Sequence, residues 1–473
     1  MSVENKLDSL SKGELVNLIT KLCELHEDIE DVVDRHVSAV IVSGGKANKR
    51  ETMSLKTVLM NQLKQLESEH KYVDYQDSSA FACRLESILL DIDTLLREQD
   101  LEQAIQVAEA FIALGSMVIE RCDDSDGQIG GVFHDAAELW LDIAAELRSV
   151  KHDERDWLSQ VRHYFDNNDY GLLDDIIPFS ENLLTKEELE KLAWQFEKEA
   201  RQALKKPKEN GYNYEASHAC IGIKSVAEAL DNVELYEKAI LLTSPIPNTL
   251  QLADFVRFAI GLSEFERAEH CLKQTQWQED SSLRKQLYNE LLEAKGDVTE
   301  LKENLNQEFL LNPTEYNLRD YWALADSEER KEVVNFLENA EKSLTQKDPK
   351  NYIGMLLLVS KLGSAEKVLT RSANQLGQPN YCILLDWMEF WPECKYPIAN
   401  IICYRLLLID LLERGYSKAY HHGARYFNKL LELDKRIDDY QGLETSTEFI
   451  KQLQIKHWRK RSFWQVADYP NKP

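Results

Sequence analysis

Apolar side chains in this chain recur three and four residues apart, the spacing that lines one face of an α-helix. Leu15, Leu18, Ile19, Leu22 and Leu25 form one such stripe, opened by the capping box Ser11-Lys-Gly-Glu14. Ile29, Val32, Val33 and Val37 form a second, so residues 1–42 read as a helical hairpin. The polar run Ser43-Gly-Gly-Lys-Ala-Asn-Lys-Arg50 reads as a linker over 43–50. Helical spacing resumes over Leu55–Leu66, Phe81–Leu96, Leu101–Arg121 and Val132–Leu147, then near Trp157–Phe165, Gly171–Ile177 and Lys186–Leu204. These make a middle helical domain, 51–204, closed by a polar boundary loop from Lys205 to Tyr214. No proline precedes Pro178, so helices in this part are free to run long.

Beyond residue 215 the pattern acquires a rhythm. Gly261, Gly296 and Gly363 each separate two amphipathic segments, and Asp231 and Asp326 occupy matching breaks. The steps between them are 30, 35, 30 and 37 residues, a period near that of tetratricopeptide-type helix pairs. Gly415 separates one more pair, Ile398–Leu412 and Ser417–Leu433. The expected fold is therefore all-α: hairpin, middle domain, and a TPR-like α-solenoid of degenerate helix pairs over 215–450. A basic-aromatic segment, 451–473, ends the chain as its cap.

Charge sharpens this picture. The chain has 473 residues and a net charge of −26. Residues 451–473 hold six basic side chains against Asp468, so the remainder stands at −31. Such a surface repels nucleic-acid phosphate and anionic lipid, and it suits protein partners with basic patches. Met1–Lys12 lacks the apolar core of a secretory signal, and the most apolar stretch, Ile398–Leu412, is broken by Arg405 and Asp410 and too short to span a bilayer. The eight cysteines are scattered without a Cys-x-x-Cys pair, which fits buried free thiols in a reducing compartment. The expectation is a cytoplasmic protein that binds no membrane and carries no cofactor.

Two stretches carry a likeness. Tyr420-His-His-Gly-Ala-Arg-Tyr-Phe427, followed by Phe449, Leu453, His457, Arg459, Lys460, Phe463 and Trp464, resembles the C-terminal signature of a bacterial family of unknown function. Related regions occur in proteins with SWIM-type zinc fingers. Ile119-Glu-Arg-Cys-Asp-Asp-Ser-Asp-Gly-Gln-Ile-Gly130 and Asn168-Asp-Tyr-Gly171 resemble the same family's N-terminal half. The resemblance implies no chemistry. A SWIM finger needs Cys-x-Cys and a later Cys-x-His, and this sequence has neither.

The candidate sites each have a structural alternative. Asp123, Asp124 and Asp126 lie in a loop whose Asp124, Asp126, Gly127 and Ile129 match EF-hand positions three, five, six and eight. Cys122 and Phe133 stand where acidic ligands are required, so the loop reads as an acidic turn whose carboxylates cap amides or pair with a basic group. Adjacent His421 and His422 point about 100° apart on a helix, so both do not share one ligand site. One of them with His457 would need a third ligand that no second motif supplies, and the expectation is one ring on an aromatic and the other toward solvent or a carboxylate. Ser43-Gly-Gly-Lys46 lacks the first glycine and the hydroxyl residue of a phosphate loop. Along Lys456–Trp464, Trp458 and Trp464 interleave with Arg459, Lys460 and Arg461. This segment either caps the helix array, basic heads resting on its acidic flank, or binds nucleic acid by stacking and phosphate contacts. Arg425 joins the candidates through the Tyr420–Phe427 signature. No metal, cofactor or catalytic set emerges. The leading expectation is a non-catalytic interaction scaffold; the alternatives are a nucleic-acid-associated accessory protein and an enzyme with an unrecognised carboxylate site.

Overall fold

A computed structural model describes residues 54–151, 155–206, 213–274, 277, 281–377 and 379–471, together with Lys21. The expected hairpin and linker otherwise lie outside the described residues. Those residues contain helices, turns and one isolated bridge, Val73 to Cys122, and no β-strand. The all-α expectation holds. The chain divides into two compact units between Arg284 and Lys285.

The first unit begins with α1 (Leu55–Ser68), α2 (Tyr75–Asp91), α3 (Leu101–Ile112), α4 (Gly115–Glu120) and α5 (Gln128–Lys151). It continues with α6 (Trp157–Asp166), α7 (Lys186–Ala203), α8 (Tyr214–Ala229), α9 (Val233–Thr243), α10 (Thr249–Gly261) and α11 (Phe265–Leu272). Polar side chains start these helices by accepting the free amides of the first turn. Ser54 caps α1, Asp100 caps α3, and Thr185 with Glu188 forms a capping box on α7. Phe111, Phe133, Trp140, Trp157 and Phe196 are buried in the core of this unit, with Trp140 edge-on to Tyr164 at 4.9 Å.

Three details differ from the sequence reading. The helix expected over Phe81–Leu96 continues from α2 through a π-helical turn at Ile92–Leu96. The run Leu101–Glu120 is long and apolar enough to cross a membrane by length and composition, more so than Ile398–Leu412. It breaks at residues 113–114, and Ala104, Ile105, Ala108 and Phe111 pack into the core. α7 and α8, on either side of the boundary expected at Lys205–Tyr214, pack together within the first unit. Phe196 lies so close to Gly222 that a Cβ there would stand 2.3 Å from the ring.

One turn geometry recurs between helices. Asp231, Ser263, Gly296 and Ser360 have φ of 50°, 61°, 71° and 59°. In each case the next N–H reaches back five residues: Asn232 to Ala227 O at 2.8 Å, Glu264 to Ala259 O at 2.8 Å, Asp297 to Leu292 O at 2.9 Å and Lys361 to Leu356 O at 2.8 Å. This is the Schellman closure of a helix C-terminus, and the residue that donates also opens the following helix. The steps are 32, 33 and 64 residues, the last being two periods. Gly261 and Gly363, read as the breaks, instead lie inside helices, and the serines take the left-handed positions. Asp326 opens a helix through a capping box without a left-handed residue before it.

α12 (Ser281–Lys295) runs across the unit boundary, and the second unit goes on with α13 (Val298–Leu311), α14 (Glu315–Leu324), α15 (Ser327–Asn339), α16 (Glu341–Lys347), α17 (Pro349–Leu358) and α18 (Leu362–Ser372). Then follow α19 (Tyr381–Phe390), α20 (Pro397–Arg414), α21 (Tyr420–Asp434), α22 (Ser446–His457) and α23 (Arg461–Val466). Its helices pack chiefly on near neighbours in sequence: α13 on α14, α17 on α18, α20 on α21. Tyr352, Trp387 and Trp391 are buried in one cluster; Phe427, Phe463 and Trp464 are buried in another. Glu366 on α18 accepts the amide of Ala399 at 3.3 Å, a cap on α20 supplied from another helix. Burial holds the Glu366 carboxyl above its ordinary range.

Candidate functional surfaces

In the first unit the acidic loop is built around a helix start. Asp124 Oδ1 and Oδ2 accept from the amides of Ile129 and Gly130, both at 2.8 Å. The cap lets α5 begin at Gln128, so Gly130 and Gly131 sit in its first turn and not in the connecting loop expected before Val132. A Cβ on Gly130 would come within 3.1 Å of Asp124 Oδ2. Asp123 accepts from Ser125 N at 3.2 Å, and Asp126 from the Gln128 side-chain amide at 2.9 Å. None of the three carboxylates makes an ion pair among the described residues. Arg121, beside them, donates instead to Glu69 O and lies over the Phe81 ring at 5.8 Å.

The two N-terminal stretches that carried the family likeness meet here. Tyr170 donates to Glu120 at 2.8 Å, and His134 lies 3.2 Å from Asp175. Asn168 binds the Leu173 amide at 2.9 Å and Asp174 at 2.7 Å, and Gly171 turns the chain at φ 72°. Leu172 presses on Gly115, where a Cβ would stand 2.8 Å from it. The 168–175 segment is thereby packed against α4 and α5. No group of three His, Cys, Asp or Glu side chains with metal-holding geometry occurs among the described residues.

In the second unit His421 and His422 do not separate as expected. Their rings lie 4.0 Å apart; His421 Nδ1 is 2.9 Å from Lys418 O, and Arg425 contacts His422 Nδ1. Desolvation, then His421 and Arg425, hold the His422 imidazole below its ordinary value. His457 is buried, and burial followed by Lys456 and Lys460 lowers its pKa as well.

The C-terminal segment folds back on α20 and α21. Phe463 meets Tyr420 edge-on at 5.7 Å, Phe427 meets Trp464 at 6.0 Å and Tyr469 at 5.0 Å, and Trp464 Nε1 donates to His457 O at 3.0 Å. Gly423 permits this: a Cβ there would stand 3.0 Å from Phe463. Trp458 is 37% exposed and Val466 52%, so these two take no part in the packed core. Of the basic heads, Lys456 contacts Glu413, while Arg459, Lys460 and Arg461 form no ion pair among the described residues. Arg459 lies over the Trp458 ring at 5.2 Å.

Sequence reasoning missed Arg405. It is 7% exposed, lies over Phe449 at 5.0 Å and Tyr440 at 5.6 Å, and reaches Ser446 Oγ at 3.4 Å. Its place in an apolar helix was the only signal. The cysteines also divide: Cys122, Cys220, Cys271 and Cys403 are buried, whereas Cys83, Cys382 and Cys394 are exposed free thiols. Burial pushes the Cys403 thiol up to about 12.

The described residues are all-helical, with packed, capped signature segments and an exposed basic-aromatic turn at 458–461. The chain belongs to the family of unknown function DUF6880, whose model matches residues 46–247 and 259–466. No curated protein and no solved structure matches it.

Proposed function

We propose that the chain is a non-catalytic scaffold of a bacterial cytoplasmic assembly, built from TPR-like helix pairs and holding protein partners on their exposed faces. The observation that carries this reading is the recurring left-handed turn at Asp231, Ser263, Gly296 and Ser360, at steps of 32, 33 and 64 residues. A helix pair repeated at such a period cannot bury its apolar face alone, and stacked pairs present extended surfaces for partners. The engagement of Asp124 as a helix cap supports a structural role for the acidic loop. The acidic excess of the chain, 82 Asp and Glu against 56 Lys and Arg, favours partners with basic surfaces over most of the molecule.

The test is affinity capture by the full chain from a lysate of its source organism, followed by reconstitution with the purified candidate. A stoichiometric complex that weakens with salt supports the scaffold. Failure to reconstitute any partner, together with turnover of a small molecule that Asp123→Asn abolishes, sinks it in favour of an enzyme.

A further inference from the structure

The second unit concentrates positive charge where two turns meet. Residues 414–431 contain Arg414, Lys418, Arg425 and Lys429 and no acidic residue, a balance of +4, of which Arg414 pairs with Asp410 and Lys429 with Glu393 outside the stretch. Residues 451–473 add +5, so the rest of the chain stands at −35. The α20–α21 turn and the α22–α23 turn lie side by side: Lys456 contacts Glu413, and Lys460 Nζ lies 3.0 Å from where a Cβ would stand on Gly415. Phe463 against Gly423 and Tyr420 fixes that proximity in the core. Lys418, Arg459 and Arg461 are exposed and Lys460 is half-buried, and none of the four forms an ion pair with a carboxylate among the described residues.

Apolar surface lies among these cations. Tyr416 is 59% exposed and Ile455 67%, and Trp458 follows Ile455 three residues on. Exposed ion pairs are the easy fate of a base in so acidic a chain, and Arg84, Arg201, Arg319 and Arg436 all take it. Cations interleaved with aliphatic and aromatic surface match a ligand of the opposite pattern.

We propose that the face formed by the 415–418 and 455–461 turns binds an acidic, amphipathic peptide segment of a protein partner. This rests on the scaffold reading and names the chemistry of one of its partners. Three observations select a peptide over nucleic acid. The aliphatic side chain of Ile455, the most exposed apolar group there, offers no stacking plane. Arg459 already lies over the Trp458 ring. A long polyanion running off the face meets a body of strongly negative charge, whereas a short acidic segment ends within the basic patch.

The experiment titrates the full chain, at low and physiological salt, with three probes of equal charge. They are a synthetic peptide of glutamate and leucine, polyglutamate, and oligo-deoxythymidylate, read by Trp fluorescence and calorimetry. The expected result is tightest binding of the glutamate–leucine peptide, lost by about tenfold or more in R459E/K460E/R461E. A second variant, Ile455→Ser, keeps the charge and lowers affinity for that peptide toward that of polyglutamate. Circular dichroism confirms that both variants are folded. Tighter binding of the oligonucleotide overturns the proposal in favour of a nucleic-acid face. Self-association of the wild type that the charge reversal abolishes overturns it in favour of a second copy. Equal peptide binding by wild type and charge-reversed chain, or none by either, also overturns it. A reconstituted partner that the charge-reversed chain still holds leaves the scaffold standing and removes this face from it.

Discussion

Asp124 satisfies two amides with one carboxylate, and it does so from four residues upstream of the first helical position. A cap usually precedes its helix directly, so sequence reading started α5 at Val132 and took the glycines for a loop. The family-like run of acids and glycines is explained by that cap and by the space Gly130 leaves for it. Asp124→Ala is expected to destabilise the chain by about 1–2 kcal/mol in urea unfolding. Chelator is expected to leave the melting temperature of the wild type unchanged, because the same oxygens already hold N–H groups; metal-dependent stabilisation would reverse that assignment. His457 gives a pH signature. Its folded pKa is depressed, first by burial, so the unfolded chain binds the extra proton. Its contribution is complete above the ordinary imidazole value of about 6.5 and is lost as pH falls through the lowered folded value. His457→Gln should flatten stability against pH in that acid window; an unchanged slope means another group carries it.

At the scale of elements, the sequence made helices legible and their joints illegible. Stripes such as Leu287, Leu291 and Leu292 announce a helix, but the left-handed position at its end falls on glycine in one recurring turn and on serine in two. Serine has no left-handed signature, so the glycines nearby drew the assignment and the apparent steps came out uneven. Glu366 could not be read either, since it caps a helix remote in sequence. The turns make a paired prediction. Ser263→Gly and Ser360→Gly relieve a left-handed cost of about 1–2 kcal/mol and give part of it back in chain entropy, leaving roughly 0.5 kcal/mol of stabilisation. Gly296→Ala should destabilise by about 1 kcal/mol. If Ser→Gly destabilises at both sites, the turns are not held as described. The C-terminal element is tested by Trp464→Ala, which should cost about 3–5 kcal/mol because the ring is buried against Phe427 and Tyr469. Trp458→Ala, at an exposed ring, should cost far less.

At the scale of the whole molecule, charge acts on the fold and on the C-terminal face with opposite signs. A chain at −26 repels itself, and folding brings those carboxylates closer than the unfolded chain holds them. Raising salt from low to physiological concentration shortens the Debye length to about 8 Å and screens that repulsion. The melting temperature should therefore rise with salt. Binding of an acidic peptide to the basic face depends on attraction, so the same salt should weaken it. R459E/K460E/R461E makes the net charge more negative still. Its melting temperature should fall slightly at low salt, since exposed charges are each worth about 0–1 kcal/mol, and should converge on wild type as salt rises. The two salt responses separate a folding defect from a binding defect in one series. If the charge-reversed chain stays markedly less stable at high salt, Arg459, Lys460 and Arg461 hold the C-terminal segment in place, and their exposure serves the fold instead of a partner.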